Sequence, residues 1–267
     1  MKWLIAVLAA TWPALSASAA APELELQLLN ARPHLEAGYT QGLFIRDGRL
    51  FESSGLYGRS VFSRRPWAPD RQAGSSIRRP LPPDCFAEGA AWAEGEIYIL
   101  TWRNQRGFVL DPETLAVRRE FSYSGEGWGL TWDGRRLWRS DGSDHLRPHR
   151  VGDFAPAGEP LKVHDGEAAV PGLNELEWDS QTGLLLANIY GFDRVAAIDP
   201  ADGAVKFWLN AAPLRALAVR AGLPAPPDLD TALNGLALDG RSLWLTGKSW
   251  PLIFQTAWPP AGFDRPE

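Results

Sequence analysis

The chain reads as an all-β protein, a five-bladed β-propeller with a short helical insertion before the last blade. Two observations carry this reading. One pattern is written five times: a polar or glycine opening, a short apolar strand, an acidic or glycine turn, and a second strand. It occurs at Gln41-Gly-Leu-Phe-Ile-Arg-Asp-Gly48, Glu88-Gly-Ala-Ala-Trp-Ala-Glu-Gly95, Trp128-Gly-Leu-Thr-Trp-Asp-Gly134, Asn174-Glu-Leu-Glu-Trp-Asp-Ser-Gln-Thr-Gly183 and Asn234-Gly-Leu-Ala-Leu-Asp-Gly240. The residues that follow the openings, Gly42, Gly89, Gly129, Glu175 and Gly235, are separated by 47, 40, 46 and 60 positions. That is blade spacing, in which each small sheet can bury its faces only against its neighbours.

Taken in order, residues 1–20 carry Lys2, an apolar run too short to span a bilayer and the small-residue site Ala17-Ser-Ala19, the pattern of a cleaved signal peptide. Residues 21–267 are then expected as a single propeller domain. Glu23 to Leu29 alternates as a strand that stops at Asn30-Ala-Arg-Pro33 and pairs into the last sheet. Pro251 to Trp258 is its natural partner or neighbour, since first and last blades must be joined.

The first blade reads Gly42 to Ile45, Arg49 to Ser53 and Ser60 to Ser63. The second reads Ala90 to Trp92, Glu96 to Trp102, Gly107 to Asp111 and Val117 to Phe121. The third holds Leu130 to Trp132 and Arg136 to Ser140. The fourth holds Leu176 to Trp178, Leu184 to Ile189, Val195 to Asp199 and Ala204 to Trp208. Ala211 to Gly222, rich in Ala, Leu and Arg with an early proline and a closing glycine, predicts the inserted helix. In the last blade Asp239-Gly240 closes a hairpin, and the strand from Ser242 to Thr246 delivers Lys248.

Composition narrows the function classes. The net charge of −5 becomes −6 once Lys2 leaves with the signal, which argues against nucleic acid, and the pairs Arg64-Arg65 and Arg78-Arg79 read as solvated charge. Cys85 is the only cysteine, so no intramolecular disulfide forms. No later stretch is long and apolar enough for a membrane helix, so the expectation is an exported, monomeric protein, periplasmic or secreted, without membrane insertion after cleavage. The four histidines lack HxH or HExxH spacing, there is no Gly-x-Ser-x-Gly elbow and no phosphate-binding glycine loop; no catalytic metal or other cofactor is expected, while an oxygen-ligated structural calcium in the channel stays open.

Inner strands of a propeller crowd its axis, so the opening residues Gln41, Glu88, Trp128, Asn174 and Asn234 should ring one mouth of the channel. The ends of the second strands add Trp102, Asp141, Asn188 and Lys248. An acid, an amine, carboxamides and aromatics suit binding and proton transfer on a small polar substrate. Turn caps and core tryptophans account for many such residues. Glu88 and Lys248 differ, because neither type is usually buried unless paired; a structural salt bridge between them is the competing account.

Several stretches together resemble the plant- and bacterial-type glutaminyl-peptide cyclotransferases: Gly38-Tyr-Thr-Gln-Gly-Leu43, Glu52-Ser-Ser-Gly-Leu-Tyr-Gly-Arg-Ser60, Gly125-Glu-Gly-Trp-Gly-Leu130, Ser140-Asp-Gly-Ser143, Leu173-Asn-Glu-Leu-Glu177 and Thr246-Gly-Lys-Ser-Trp-Pro251. The resemblance runs from about Tyr39 to Pro251. It implies a five-bladed propeller that converts the N-terminal glutamine of peptides or proteins to pyroglutamate with release of ammonia. It also implies that Glu88 is the principal acid/base and Lys248 a second essential group, with Tyr39, Gln41, Trp102, Trp128, Asn174 and Tyr190 completing the pocket. Two positions depart from the family pattern: Tyr39 stands where phenylalanine is usual, and Tyr190 where tryptophan is usual.

Two rival classes are open to the same residues. A metal-dependent, lactonase-like propeller would use Glu88, Asn174 and Asn234 as oxygen ligands, although an ammonium in the channel disfavours a nearby cation. A non-catalytic periplasmic propeller would bind a peptide or carbohydrate on its aromatic mouth. The 13 tryptophans suit that idea, but Trp92, Trp132 and Trp178 recur at equivalent positions and read as packing between blades.

Overall fold

Five antiparallel sheets account for almost all regular structure in the computed structural model, which describes residues 20–35, 38–67, 76–226 and 228–263. The expected signal peptide lies, up to residue 19, outside the described residues. Blade 1 is Thr40–Arg46, Arg49–Ser54, Val61–Pro66 and Ile77–Pro80, paired in chain order. Blade 2 is Ala87–Ala93, Glu96–Thr101, Arg106–Leu110 and Val117–Ser122. Blade 3 is Leu130–Trp132, Leu137–Arg139, His145–His149 and Leu161–Lys162. Blade 4 is Leu173–Asp179, Leu184–Ile189, Arg194–Ile198 and Val205–Asn210, and blade 5 is Leu233–Asp239, Ser242–Gly247 and Leu252–Ala257.

The hairpin turns behave as their sequences require. Asp47-Gly48 and Glu94-Gly95 each hold both residues at positive φ, 50° and 69° in the first case and 48° and 83° in the second. This is the geometry whose twist matches two-residue hairpins. The inserted helix, Ala212–Arg220, begins beside Pro213 and is followed by Gly222 at φ 112°, as its composition predicts.

No common core exists; apolar side chains collect in five clusters, one between each pair of neighbouring blades. Strand alternation sorts them. In blade 2, Ile97 and Ile99 face blade 1 while Tyr98 and Leu100 face blade 3. In blade 4, Leu185 and Ala187 face blade 3 while Leu184 and Leu186 face blade 5 and the helix. Trp92, Trp132 and Trp178 pack against these clusters, and Trp92 meets Trp132 edge-on across the interface between blades 2 and 3.

The N-terminal segment corrects one expectation. It is not one strand but two: Glu23–Glu25 pairs in parallel with Val205–Asn210 of blade 4, and Leu28–Pro33 pairs antiparallel with Leu252–Ala257 of blade 5. A single strand cannot stay bonded to the edges of two diverging sheets, so the chain changes sheets at Leu26, and the Gln27 carbonyl already accepts the Ala257 N–H of blade 5 at 2.9 Å. Closure therefore fastens the last blade as expected and the fourth as well. Pro33, which lacks an N–H, sits at the end of an outer edge strand, where none is needed. Blades 1 and 3 also have outer strands, Ile77–Pro80, His145–His149 and Leu161–Lys162, that alternation did not predict; these short segments carry prolines or charges rather than apolar runs.

Close approach at the axis explains the repeated glycine. A Cβ on Gly129 would lie 2.0 Å from the Asn174 carbonyl oxygen, and one on Gly89 would lie 2.5 Å from the Leu130 nitrogen. The fourth blade breaks this rule with Glu175, 1 % exposed. Its carboxyl reaches across the axis to accept Leu43 N–H at 3.2 Å and Leu236 N–H at 2.8 Å, joining blades 1, 4 and 5. Burial, with Glu177 nearby, pushes its pKa well above the ordinary carboxylate range.

Replacing Glu175 with alanine strands two buried N–H groups, and should lower the unfolding free energy by about 2–5 kcal/mol, read from denaturant midpoints. Glu175→Gln keeps an acceptor and should lose less. A carboxyl whose folded pKa is raised contributes stability that is complete below its unfolded pKa of roughly 4.3. That contribution is lost as pH rises through the folded value. The midpoint of the wild type should therefore fall as pH rises above the ordinary carboxylate range, with a shallower slope in Glu175→Gln.

Candidate active site

One end of the inner hairpins builds a cavity of about 360 Å³. Antiparallel pairing sets the start of each inner strand opposite the end of the second: Ala87 faces Thr101, Leu173 faces Ile189 and Leu233 faces Gly247. Residues at these two positions, far apart in sequence, thus share one surface. The inner strands of blades 1, 2, 4 and 5 also slip register at this point, between Thr40 and Gly42, Ala87 and Ala90, Leu173 and Leu176, and Leu233 and Leu236. Such bulges re-aim side chains, and Gln41, Glu88, Asn174 and Asn234 sit within them.

All eight residues expected at the site, Tyr39, Gln41, Glu88, Trp102, Trp128, Asn174, Tyr190 and Lys248, line this cavity, together with Leu56, Phe86 and Asp230. Three other members of the expected ring do not reach it. Asn234 lies fully buried beneath, donating to Gln41 Oε1 at 2.7 Å and to the Thr40 carbonyl at 2.9 Å. Asn188 caps Gly235 N–H at 3.0 Å, and Asp141 is held by Arg147 and Ser143.

The polar core of the cavity is buried yet incompletely paired. Gln41 Nε2 donates to Glu88 Oε1 at 3.1 Å, and the Asn234 bond fixes which end of the Gln41 amide faces Glu88. Burial pushes the Glu88 carboxyl well above its usual range, with Lys248 opposing and Glu126 reinforcing the shift. Burial likewise holds Lys248 below the usual lysine range against the attraction of Glu88 and Asp230. The two feel each other across the cavity, but no direct ion pair joins them. Lys248 Nζ instead lies 4.8 Å from the centroids of both the Tyr39 and Tyr190 rings. Among the described residues neither Lys248 Nζ nor the Asn174 carboxamide has a hydrogen-bond partner, although the two residues are 4 % and 3 % exposed.

Aromatic rings frame this core. Trp128 meets Tyr190 edge-on at 5.3 Å, and Phe86 stands edge-on to both Tyr39 and Trp102. Two acidic residues that the sequence reading missed hold the frame. Glu126 Oε2 accepts both pocket indoles, Trp102 Nε1 at 2.7 Å and Trp128 Nε1 at 2.9 Å. Its other oxygen is held by Arg103 at 3.0 Å, whose guanidinium lies over Trp102, and buried Arg139 bonds the Glu126 carbonyl. Burial opposes the Glu126 charge, but these indole and guanidinium hydrogen bonds outweigh it and keep the pKa below the usual value. Asp230 accepts the Tyr39 hydroxyl at 2.7 Å, from the turn that leads into blade 5. Glu126 had a signal, a carboxylate between two glycines just before Trp128; Asp230 and Phe86 had none.

The sequence model described as glutamine cyclotransferase matches residues 3–257. The chain belongs to the glutamine cyclotransferase family. The chain is similar to a glutaminyl-peptide cyclotransferase of Arabidopsis thaliana, 30 % identical over 236 residues, which span 86 % of this chain and 70 % of the relative. The crystal structure of the Myxococcus xanthus glutaminyl cyclase superposes with a TM-score of 0.76 at 31 % identity, covering 88 % of this chain and 97 % of the other. This chain is an enzyme of that family, and its cavity lies at the mouth of the shared propeller.

Removing the Glu126 carboxyl frees both indoles. Glu126→Ala should raise KM roughly tenfold, about 1.4 kcal/mol of lost positioning, and alter the tryptophan fluorescence of the folded enzyme. Glu126→Gln keeps an acceptor for the indoles, so its KM should stay closer to the wild-type value than that of Glu126→Ala.

Proposed function

We propose that this chain is a metal-independent glutaminyl-peptide cyclotransferase, closing the N-terminal glutamine of peptides or proteins to pyroglutamate with release of ammonia. The observation that carries this reading is the trio at the cavity floor. Glu88, Lys248 and Asn174 line the cavity and are each 5 % exposed or less, and the side chains of the last two have no hydrogen-bond partner among the described residues. Their polar atoms open into the cavity, so a polar substrate can complete their hydrogen bonds directly.

The chemistry runs through these groups. The α-amine of the bound glutamine, with an unperturbed pKa of roughly 8, must be neutral to attack its own side-chain carbonyl carbon. Glu88 orients the amine and accepts a proton as the new C–N bond forms. Its raised pKa brings the carboxyl closer to the operating pH, where proton transfer is most efficient. The developing oxyanion takes hydrogen bonds from Lys248 and from the Asn174 or Gln41 amide. Glu88 then returns the proton to the amide nitrogen, the old C–N bond breaks, and ammonia leaves. Trp102 and Trp128, held by Glu126, confine the glutamine side chain in a shape that can cyclise.

No group of three His, Cys, Asp or Glu side chains converges as a metal site among the described residues, and the acid/base and oxyanion roles have occupants without an ion. Export and processing of the N-terminal segment, action in the periplasm or beyond it, and a monomeric enzyme belong to the same reading. No helix among the described residues is long and apolar enough to cross a membrane.

Ammonia release from a Gln-Gly dipeptide, with and without chelator, tests the proposal. Turnover should resist the chelator. Glu88→Gln should lower kcat by roughly 10²–10⁴-fold, and Lys248→Ala by about 10²–10³-fold, with unfolding midpoints kept. Chelator-sensitive release, or wild-type rates in Glu88→Gln, would refute the scheme. In the wild type the acid limb of kcat/KM should follow the substrate α-amine, at roughly pH 8, because that amine must be neutral to attack.

A further inference from the structure

Large apolar side chains that are exposed gather at the mouth of the cavity. Tyr57, Phe192 and Leu229 are 52 %, 62 % and 52 % exposed, and each adjoins a residue of the cavity wall. Tyr57 follows Leu56 in the chain and stands edge-on to Phe86 at 5.4 Å. Leu229 precedes Asp230, and its side chain closes over Gly191, the residue between Tyr190 and Phe192. Blades 4, 5 and 1 thus present an apolar arc on one side of the mouth. Three carboxylates flank it in the chain, Asp193, Asp228 and Asp230; Asp193 is engaged by Arg215 and Asp230 by the Tyr39 hydroxyl. On the opposite side, Arg103 is paired with Glu126 and laid over Trp102.

We infer that this arc is the subsite for the second residue of the peptide, and that it selects a large apolar side chain and rejects an acidic one. The inference rests on the cyclotransferase reading. The occupant follows from covalent connection: with the N-terminal glutamine seated among Glu88, Asn174 and Lys248, the next residue must emerge at the mouth, where it meets Phe192, Leu229 and Tyr57. Exposed apolar surface that is covered only when substrate binds adds to kcat/KM in proportion to the area removed from water. An acidic second residue meets the Asp230 carboxylate and gains nothing from the arc.

The test compares kcat/KM for Gln-Gly, Gln-Phe and Gln-Glu by ammonia release, in the wild type and in a Phe192→Ser/Leu229→Ser double variant. The wild type should prefer Gln-Phe to Gln-Gly by roughly tenfold, with Gln-Glu the poorest. The double variant should bring the Gln-Phe to Gln-Gly ratio close to one with the Gln-Gly value unchanged. Equal use of Gln-Phe and Gln-Gly by the wild type overturns the subsite alone, as does a preference that survives the double substitution. Absence of turnover with all three peptides overturns the cyclotransferase reading and the subsite with it.

Discussion

The structure depends on how closely five sheets can approach one axis. At Gly42, Gly89 and Gly129 a Cβ would come within 2.6 Å of the next blade's backbone, and Gly235 is held at φ 120°, so glycine occupies four of the five positions. The fifth holds Glu175, whose carboxyl bonds backbone N–H groups of two other blades. Without a core common to the whole molecule, each blade is stabilised only through its two flanking interfaces. One buried acid that ties three blades together therefore bears on every interface. Closure by the N-terminal segment at the rim complements this bond at the centre.

The same crowding makes the site. Bulges at the ends of the inner strands relieve the packing and turn Gln41, Glu88 and Asn174 toward the cavity, while the hairpin register brings in Trp102, Tyr190 and Lys248 beside them. Burial then does two things at once. It drives Glu88 and Lys248 toward their neutral forms, and it leaves the Lys248 amine and the Asn174 amide with hydrogen-bonding capacity that the protein does not use. A cavity whose wall keeps hydrogen-bonding capacity open in this way is organised for a ligand rather than for stability.

Rigidity around that polar floor comes from acids that touch no substrate in the proposed scheme. Glu126 fixes two indoles with one oxygen, and Asp230 fixes the Tyr39 ring against Lys248. The rings of Tyr39 and Tyr190 both flank the Lys248 nitrogen. The hydroxyl of Tyr39 provides a link to blade 5 that a phenylalanine could not make.

The blade count, the hairpin turns, the inserted helix and eight of the eleven cavity residues were legible in the sequence. Repeat spacing, turn chemistry and strand alternation are local properties, and the order of motifs carries the family resemblance. The division of the N-terminal segment between two blades was not legible, because its pairing depends on which sheet edges lie nearby in space. Nor could spacing separate Asn234 from Asn174: both open an inner strand, and only the bulge geometry sends one amide beneath the cavity and the other into its wall. Asp230 and Phe86 join the site solely because the chain between the blades folds over its mouth. The sequence by itself determined which strands form and which residues begin and end them. Tertiary structure decided which of those residues face one another, since burial, pKa and unpaired hydrogen bonds arise only from contacts between distant parts of the chain.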